Sequence, residues 1–150
     1  SLTPGHILFP VVFPAGYANS CAAIQGRPRS LGTMSRKILC VDDEESIRQL
    51  LARILNSKGH TVSVARDGIE ALACTAATQF DVVITDHQMP RMSGLEFFRH
   101  LRTTVYPAKL FVFSGAMNAA LRKEYEALKV DAIADKPAGI NDIVARLQAE

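Results

Sequence analysis

Apolar runs and helical periodicities alternate five times along the chain. The runs are Ile38-Leu39-Cys40-Val41, Thr61-Val62-Ser63-Val64, Val82-Val83-Ile84, Leu110-Phe111-Val112-Phe113 and Ala132-Ile133-Ala134. Short runs rich in β-branched residues and lacking polar alternation read as strands covered on both faces, and only the second run alternates. Between them lie helical stripes. Ile47, Leu50, Leu51, Ile54 and Leu55 recur at i, i+3, i+4, i+7 and i+8, ahead of Gly59, a residue suited to ending a helix. Gly68 opens a second helix with Ile69, Leu72, Ala73 and Ala76 on one face. A third helix from about Ser93 carries Leu95, Phe98 and Leu101, and a fourth from about Asn118 is more polar, with Leu121 and Leu128 as anchors. The last carries Ile140, Ile143, Val144 and Leu147. This alternation predicts an α/β fold with a parallel sheet, helices on both faces and right-handed crossovers.

The strand ends carry the chemistry. The first run ends on Asp42-Asp43-Glu44-Glu45 and the third on Thr85-Asp86, followed by Met89-Pro90, whose proline keeps the loop out of helix. The fourth ends on Ser114 and the fifth near Lys136-Pro137. In open α/β sheets ligands bind at the carboxyl edge of the strands. A lone Asp there is ordinarily a turn cap, and a lone lysine an ordinary solvated side chain. Three acids pooled at one edge repel one another unless a cation neutralises them. Hard oxygen donors that leave open positions suit Mg²⁺, which accepts phosphate oxygens as well.

Taken together, Val41-Asp42-Asp43-Glu44, Asp67-Gly68-Ile69-Glu70-Ala71-Leu72, Asp86 with Met89-Pro90 and Met92-Ser93-Gly94, Ser114-Gly115 and Lys136-Pro137 resemble the receiver domain of two-component response regulators, across residues 37–148. The resemblance implies a flavodoxin-like, doubly wound, five-stranded parallel sheet of order 2-1-3-4-5. That order sets the ends of the first and third strands side by side at the switch point. It implies that Asp86 is the phosphoacceptor, forming an aspartyl phosphate with Mg²⁺ as cofactor. Asp43 and Asp86 would be direct metal ligands, Asp42 would act through water, and the backbone carbonyl of Gln88 would complete the set. Lys136 would pair with Asp86 and then with a phosphoryl oxygen, and Ser114 would contact another. Pro137 is the family's usual residue after the lysine, often through a cis bond.

Two positions depart from the family's pattern. The switch position three residues before the lysine, usually aromatic, is Ile133. Where glycine is common after the fourth helix, this chain has Lys129-Val130. Readout is therefore expected through Ser114 and the start of the fourth helix. His87 is expected to be a plain exposed loop histidine, and Glu44 and Glu45 a favourable acidic first turn of a helix rather than metal ligands.

The implied function is a phosphoacceptor signalling domain that takes its phosphoryl group from a histidine kinase or phosphotransfer protein and signals to an output protein or domain. It has no turnover chemistry beyond slow self-dephosphorylation. The alternative is a receiver-fold binding module read without phosphorylation, which Ile133 favours and the intact Asp43, Asp86 and Lys136 oppose. A haloacid-dehalogenase phosphatase would want a second Asp two residues after the nucleophile, where Gln88 stands. A nucleotide-binding domain would want a glycine-rich loop after the first strand.

Charge narrows the partners. Of 17 basic residues, only Arg27 and Arg29 lie in residues 1–34, which hold no acid; the 15 that remain face all 15 acids, so residues 35–150 are neutral. A neutral domain predicts no direct nucleic-acid binding by this segment. Homodimerisation stays open. No apolar run approaches the ~18–20 residues of a membrane span. Cys21, Cys40 and Cys74 lack metal-ligand spacing, and Cys40 in a strand and Cys74 on a helix read as reduced, small apolar residues, which fits the cytoplasm. Residues 1–34 have a different composition: a proline-broken apolar stretch, then Gln25-Gly26-Arg27-Pro28-Arg29, a linker pattern. They are expected to be an irregular leader ahead of a receiver domain at 35–150. Met34 is a candidate natural start, and a docking arm is the functional alternative.

Overall fold

A computed structural model describes residues 23–24 and 35–148. Most of the leader, Cys21 and Met34 included, lies outside the described residues. The five runs form parallel strands: β2 (Lys37–Val41), β3 (Thr61–Ala65), β4 (Val82–Thr85), β5 (Lys109–Ser114) and β6 (Ala132–Asp135). Their spatial order is β3-β2-β4-β5-β6, which is 2-1-3-4-5 when the parallel strands are counted along the chain. A two-residue strand, β1 (Ala23–Ile24), adds antiparallel pairing on the outer edge of β3, which the sequence did not announce. The helices are α1 (Glu45–Ser57), α2 (Gly68–Ala77), α3 (Gly94–Thr103), α4 (Ala119–Ala127) and α5 (Ile140–Gln148).

The continuous apolar runs follow from a sheet covered on both sides, because successive side chains of one strand face opposite layers. In β2, Ile38 and Cys40 join a core with Leu51 and Leu55 of α1 and Ile143 and Leu147 of α5. Leu39 and Val41 join the other core, with Leu72 of α2, Phe97 and Phe98 of α3, and Tyr125 of α4. Cys40 and Cys74 are buried free thiols, and burial followed by the Asp42 charge pushes the Cys40 thiol well above its usual range.

Three helices start at the residues their sequence marks. The Asp67 carboxylate accepts the Glu70 N–H at 2.8 Å, Ser93 Oγ accepts the Glu96 N–H, and Asn118 Oδ1 accepts the Leu121 N–H at 2.8 Å. Two stripes are shifted from the sequence expectation. On α1 the buried residues are Leu51, Ala52 and Leu55, while Leu50 is exposed. On α4 the buried anchor is Tyr125, with Leu121 and Leu128 only half-buried. No described helix is long and apolar enough to cross a membrane.

Candidate functional site

Register builds the site. Val41 of β2 pairs with Thr85 of β4, so the next residues, Asp42 and Asp86, leave the sheet side by side. The Asp86 N–H donates to the Val41 carbonyl at 2.9 Å, and the Asp42 N–H to the Ala65 carbonyl at 3.0 Å. On the other flank Ser114 pairs with Asp135, and the Lys136 N–H donates to the Ser114 carbonyl at 3.2 Å. Four strands thus deliver an acid pair, an acid, a hydroxyl and a lysine to one edge. The Lys136–Pro137 bond is cis.

Lys136 lies at the centre. Its Nζ is 2.6 Å from Asp42 Oδ2, 3.0 Å from Asp86 Oδ2 and 3.8 Å from Glu44 Oε1. Burial alone would lower the lysine's pKa, but the hydrogen bonds and charges of Asp42 and Asp86 outweigh it, and the net shift is upward. Burial raises the pKa of Asp42, and the Asp86 charge adds to that. The Lys136 bond and the Glu44 N–H, 2.9 Å from Asp42 Oδ1, oppose the rise without cancelling it. The other Asp86 oxygen, Oδ1, accepts the His87 N–H at 2.7 Å. Asp86 is therefore buried and held through both oxygens, and its chain neighbours His87 and Gln88 line an open depression with Asp43, Met89 and Ser93.

Carboxylate oxygens of Asp42, Asp43 and Asp86 lie within 4.8 Å of one another. Counted as ionised, these three acids and Lys136 leave two uncompensated negative charges. All the donors are hard oxygens and Asp43 is exposed, so the cluster suits a small divalent cation approached from solvent. Gln88 borders the same depression. Ser114 is buried at the end of β5, and its Oγ accepts the Ala116 N–H at 3.3 Å. Ile133 is half-buried and packed on the core layer that contains Tyr125.

Three participants escaped the sequence reading. His87 is not a plain exposed histidine: it is half-buried, and its Nδ1 is hydrogen-bonded to the Tyr125 hydroxyl at 2.8 Å. Tyr125 stands four residues after Leu121 and three before Leu128, on the α4 stripe, as an aromatic among charged residues. Burial, with the Asp86 charge second and only Arg99 opposing, keeps its phenol protonated far above the usual tyrosine range. Gly94 is the third. A Cβ there would lie 2.1 Å from the Asp86 carbonyl oxygen and 2.9 Å from the Tyr125 hydroxyl, so only glycine lets the start of α3 pack this closely on both groups. Gly68 plays a similar part nearer α2, where a Cβ would come within 2.7 Å of Met92.

Known proteins resemble this chain in sequence and fold. The family profile described as "Response regulator receiver domain" matches residues 38–148. Response regulator MprA of Mycobacterium ulcerans (strain Agy99) is 35% identical over 116 residues, covering 77% of this chain and 50% of that one. The chain thus spans about half the length of the curated relatives it matches. Among solved structures, chemotaxis response regulator CheY4 of Vibrio cholerae aligns with a TM-score of 0.69 and 30% identity, over 76% of this chain and 99% of that one. Response regulator TrrA of Thermotoga maritima, solved in complex with Mg²⁺–BeF, aligns with a TM-score of 0.68 and 29% identity, over 77% and 98%. The chain belongs to the response regulator receiver domain family of two-component systems.

Proposed function

We propose that this domain is a phosphoacceptor switch in which Asp86 accepts a phosphoryl group from a phosphohistidine donor, a histidine kinase or phosphotransfer protein. The observation that carries the reading is the buried Asp86 carboxylate, held by Lys136 on one oxygen and by the His87 N–H on the other, inside a cluster short of two positive charges. An Asp86 oxygen forms the bond to phosphorus, the donor's P–N bond breaks, and its electron pair returns to the donor imidazole, which takes up a proton. Mg²⁺, found with BeF in TrrA, would be held by Asp43, Asp86 and the Gln88 carbonyl, with Asp42 acting through water, and supplies positive charge for the phosphoryl oxygens. Lys136 neutralises the acid cluster beforehand and pairs with a phosphoryl oxygen afterwards. Ser114 offers its hydroxyl to a second oxygen.

Gln88 carries no acid or base two residues after Asp86, which fits a regulatory domain with slow self-dephosphorylation rather than an enzyme with turnover. The neutral charge of residues 35–150 fits an output through protein contacts, in a cytoplasmic setting and with a homodimer among the partners it admits. In keeping with linker composition, residues 1–34 are read as a leader. The test is intact-mass analysis after incubation with Mg²⁺ and acetyl phosphate. One added phosphoryl group is expected on the native chain and none on Asp86→Asn. A phosphoryl group on the Asn variant would place the acceptor elsewhere.

The one observation that favours the second reading, a module read without phosphorylation, is Ile133 at the switch position, which has no hydroxyl to report on the acceptor. Absence of any mass gain on the native chain would favour it.

A further inference from the structure

Ile133 leaves the family's usual readout position without a polar group, yet a buried phenol still reaches the acceptor from another element. Tyr125 is the one residue of α4 that is buried, and it is fully so. A buried hydroxyl left without a partner costs on the order of 1–3 kcal/mol. Its partner here is His87 Nδ1, at 2.8 Å, on the residue directly after Asp86. The rings meet edge to face with centroids 5.7 Å apart and planes at 84°. His87 also gives its backbone N–H to Asp86 Oδ1. Gly94 lies against both the Asp86 carbonyl and the Tyr125 hydroxyl, where a Cβ would come within 2.1 Å of the one and 2.9 Å of the other. One residue therefore holds the acceptor carboxylate with its backbone and α4 with its side chain.

We propose that Tyr125, acting through His87, is the positioning residue that ties helix α4 to the acceptor loop, so that the state of Asp86 and the packing of α4 change together. The proposal rests on the phosphoacceptor reading of Asp86. A phosphoryl group bonded to one Asp86 carboxylate oxygen makes the side chain bulkier and more highly charged. The His87 N–H bond to Oδ1 and the turn of the chain at His87 must then adjust. Because the side chain of His87 is bonded to a phenol enclosed in the core, that adjustment is passed to Tyr125 rather than lost to solvent. No other side chain of α4 is fully buried, and Leu121, half-buried, is the further apolar contact of the helix with the core. The coupling leaves from the third parallel strand's loop directly into α4, without a side chain from β6.

The test uses the full chain and two readouts, phosphoryl uptake by intact mass and amide hydrogen exchange over residues 119–127 with and without Mg²⁺ and beryllofluoride. In the native chain, uptake and a change in α4 exchange are both expected. Tyr125→Phe keeps the ring and its packing, so uptake should persist while the α4 change is lost. His87→Ala cuts the same bond from the loop side and should also lose the α4 change, which guards against a Tyr125 variant that does not fold. His87→Asn places a carbonyl oxygen near the position of Nδ1 and should restore part of the change, a rescue that a purely space-filling role would not give. If α4 responds in Tyr125→Phe or His87→Ala as it does in the native chain, or is silent in the native chain despite uptake, the proposal is overturned. No uptake by the native chain is a different result, and removes the phosphoacceptor reading together with the inference built on it.

Discussion

Helices α3 and α4 cover the same face of the sheet and have similar lengths, but they are held in different ways. α3 buries Gly94, Leu95, Phe97, Phe98 and Leu101, whereas α4 buries Tyr125 alone. The two touch through Phe98 and Tyr125, whose rings lie edge to face at 6.3 Å, and through Arg102, which donates to the Leu128 and Lys129 carbonyls at 2.8 Å each. α3 is thus part of the core, whereas α4 has one fully buried anchor, with Leu121 and Leu128 packed against that core only half-buried. Regions with few buried apolar contacts open at lower free energy than the whole domain. The element beside the acceptor that can move cheaply is also the one whose buried anchor is bonded to the acceptor loop.

The sharpest way to break the comparison is to truncate one large apolar side chain on each helix. Phe98→Ala is expected to cost ~3–5 kcal/mol in denaturant unfolding, as buried Phe truncations do. Leu121→Ala on half-buried α4 should cost less than ~1.5 kcal/mol, the lower bound for removing a fully buried aliphatic side chain. Equal costs would mean that α4 is as firmly packed as α3. Gly94→Ala strikes the contact between the helices and the loop. It should cost ~1–3 kcal/mol by overpacking, and it should depress phosphoryl uptake too, since the Asp86 carbonyl must shift. Asp43→Asn is expected to separate site from scaffold. The carboxylate is exposed, so stability should change by no more than ~0.5 kcal/mol, while Mg²⁺ affinity in a calorimetric titration should fall by at least about tenfold.

The smallest effects concern how the two helices end. α1 stops with Gly59 at φ 94°, its N–H bonded to the Asn56 carbonyl and the next N–H to Leu55. α3 ends in the same hydrogen-bond pattern with Val105 at φ 54°, and α4 ends with Lys129 at φ 56°. Both side chains are exposed, so nothing is lost by removing them, and a left-handed conformation costs an L-residue about 1–2 kcal/mol. Val105→Gly and Lys129→Gly should each stabilise the domain by up to ~1 kcal/mol, part of the relief being offset by the greater freedom of glycine in the unfolded chain. Thermal unfolding measures both. The β-branched Val105 should show the larger gain.

These helix ends also explain what could be read in the sequence. Gly59 marked the end of α1 because glycine is the residue that adopts that conformation without penalty. Val105 and Lys129 adopt it under tertiary constraint, and nothing in their identity says so. Capping residues were legible because Ser93 and Asn118 act on atoms three residues away. The parallel strands were legible because burial on both faces leaves continuous apolar runs, whereas their order came from the resemblance to receiver domains. Asp42, Asp43, Asp86, Ser114 and Lys136 could be placed together because the topology brings strand ends to one edge. The His87–Tyr125 bond could not, since it joins a loop to a helix 38 positions on, and no periodicity links them. Leu50 was misplaced because a stripe with five apolar positions is wider than the face α1 buries, and Ala52 contributes apolar surface that a search for large residues overlooks.

The pairing of Val41 with Thr85 has a consequence for how such a chain can change over time. Side chains alternate along a strand, so losing or gaining one residue inside β4 would exchange its two faces and draw Asp86 back by about 3.3 Å relative to Asp42. Layer packing and the acid cluster would fail in the same event. The crossovers carry no such constraint, because a loop that lengthens leaves both strand ends where they were. Insertions and deletions should therefore be tolerated in the turns at the amino edge of the sheet, and purged from β2 and β4. Sequence drift in this domain is channelled by register before it is channelled by chemistry.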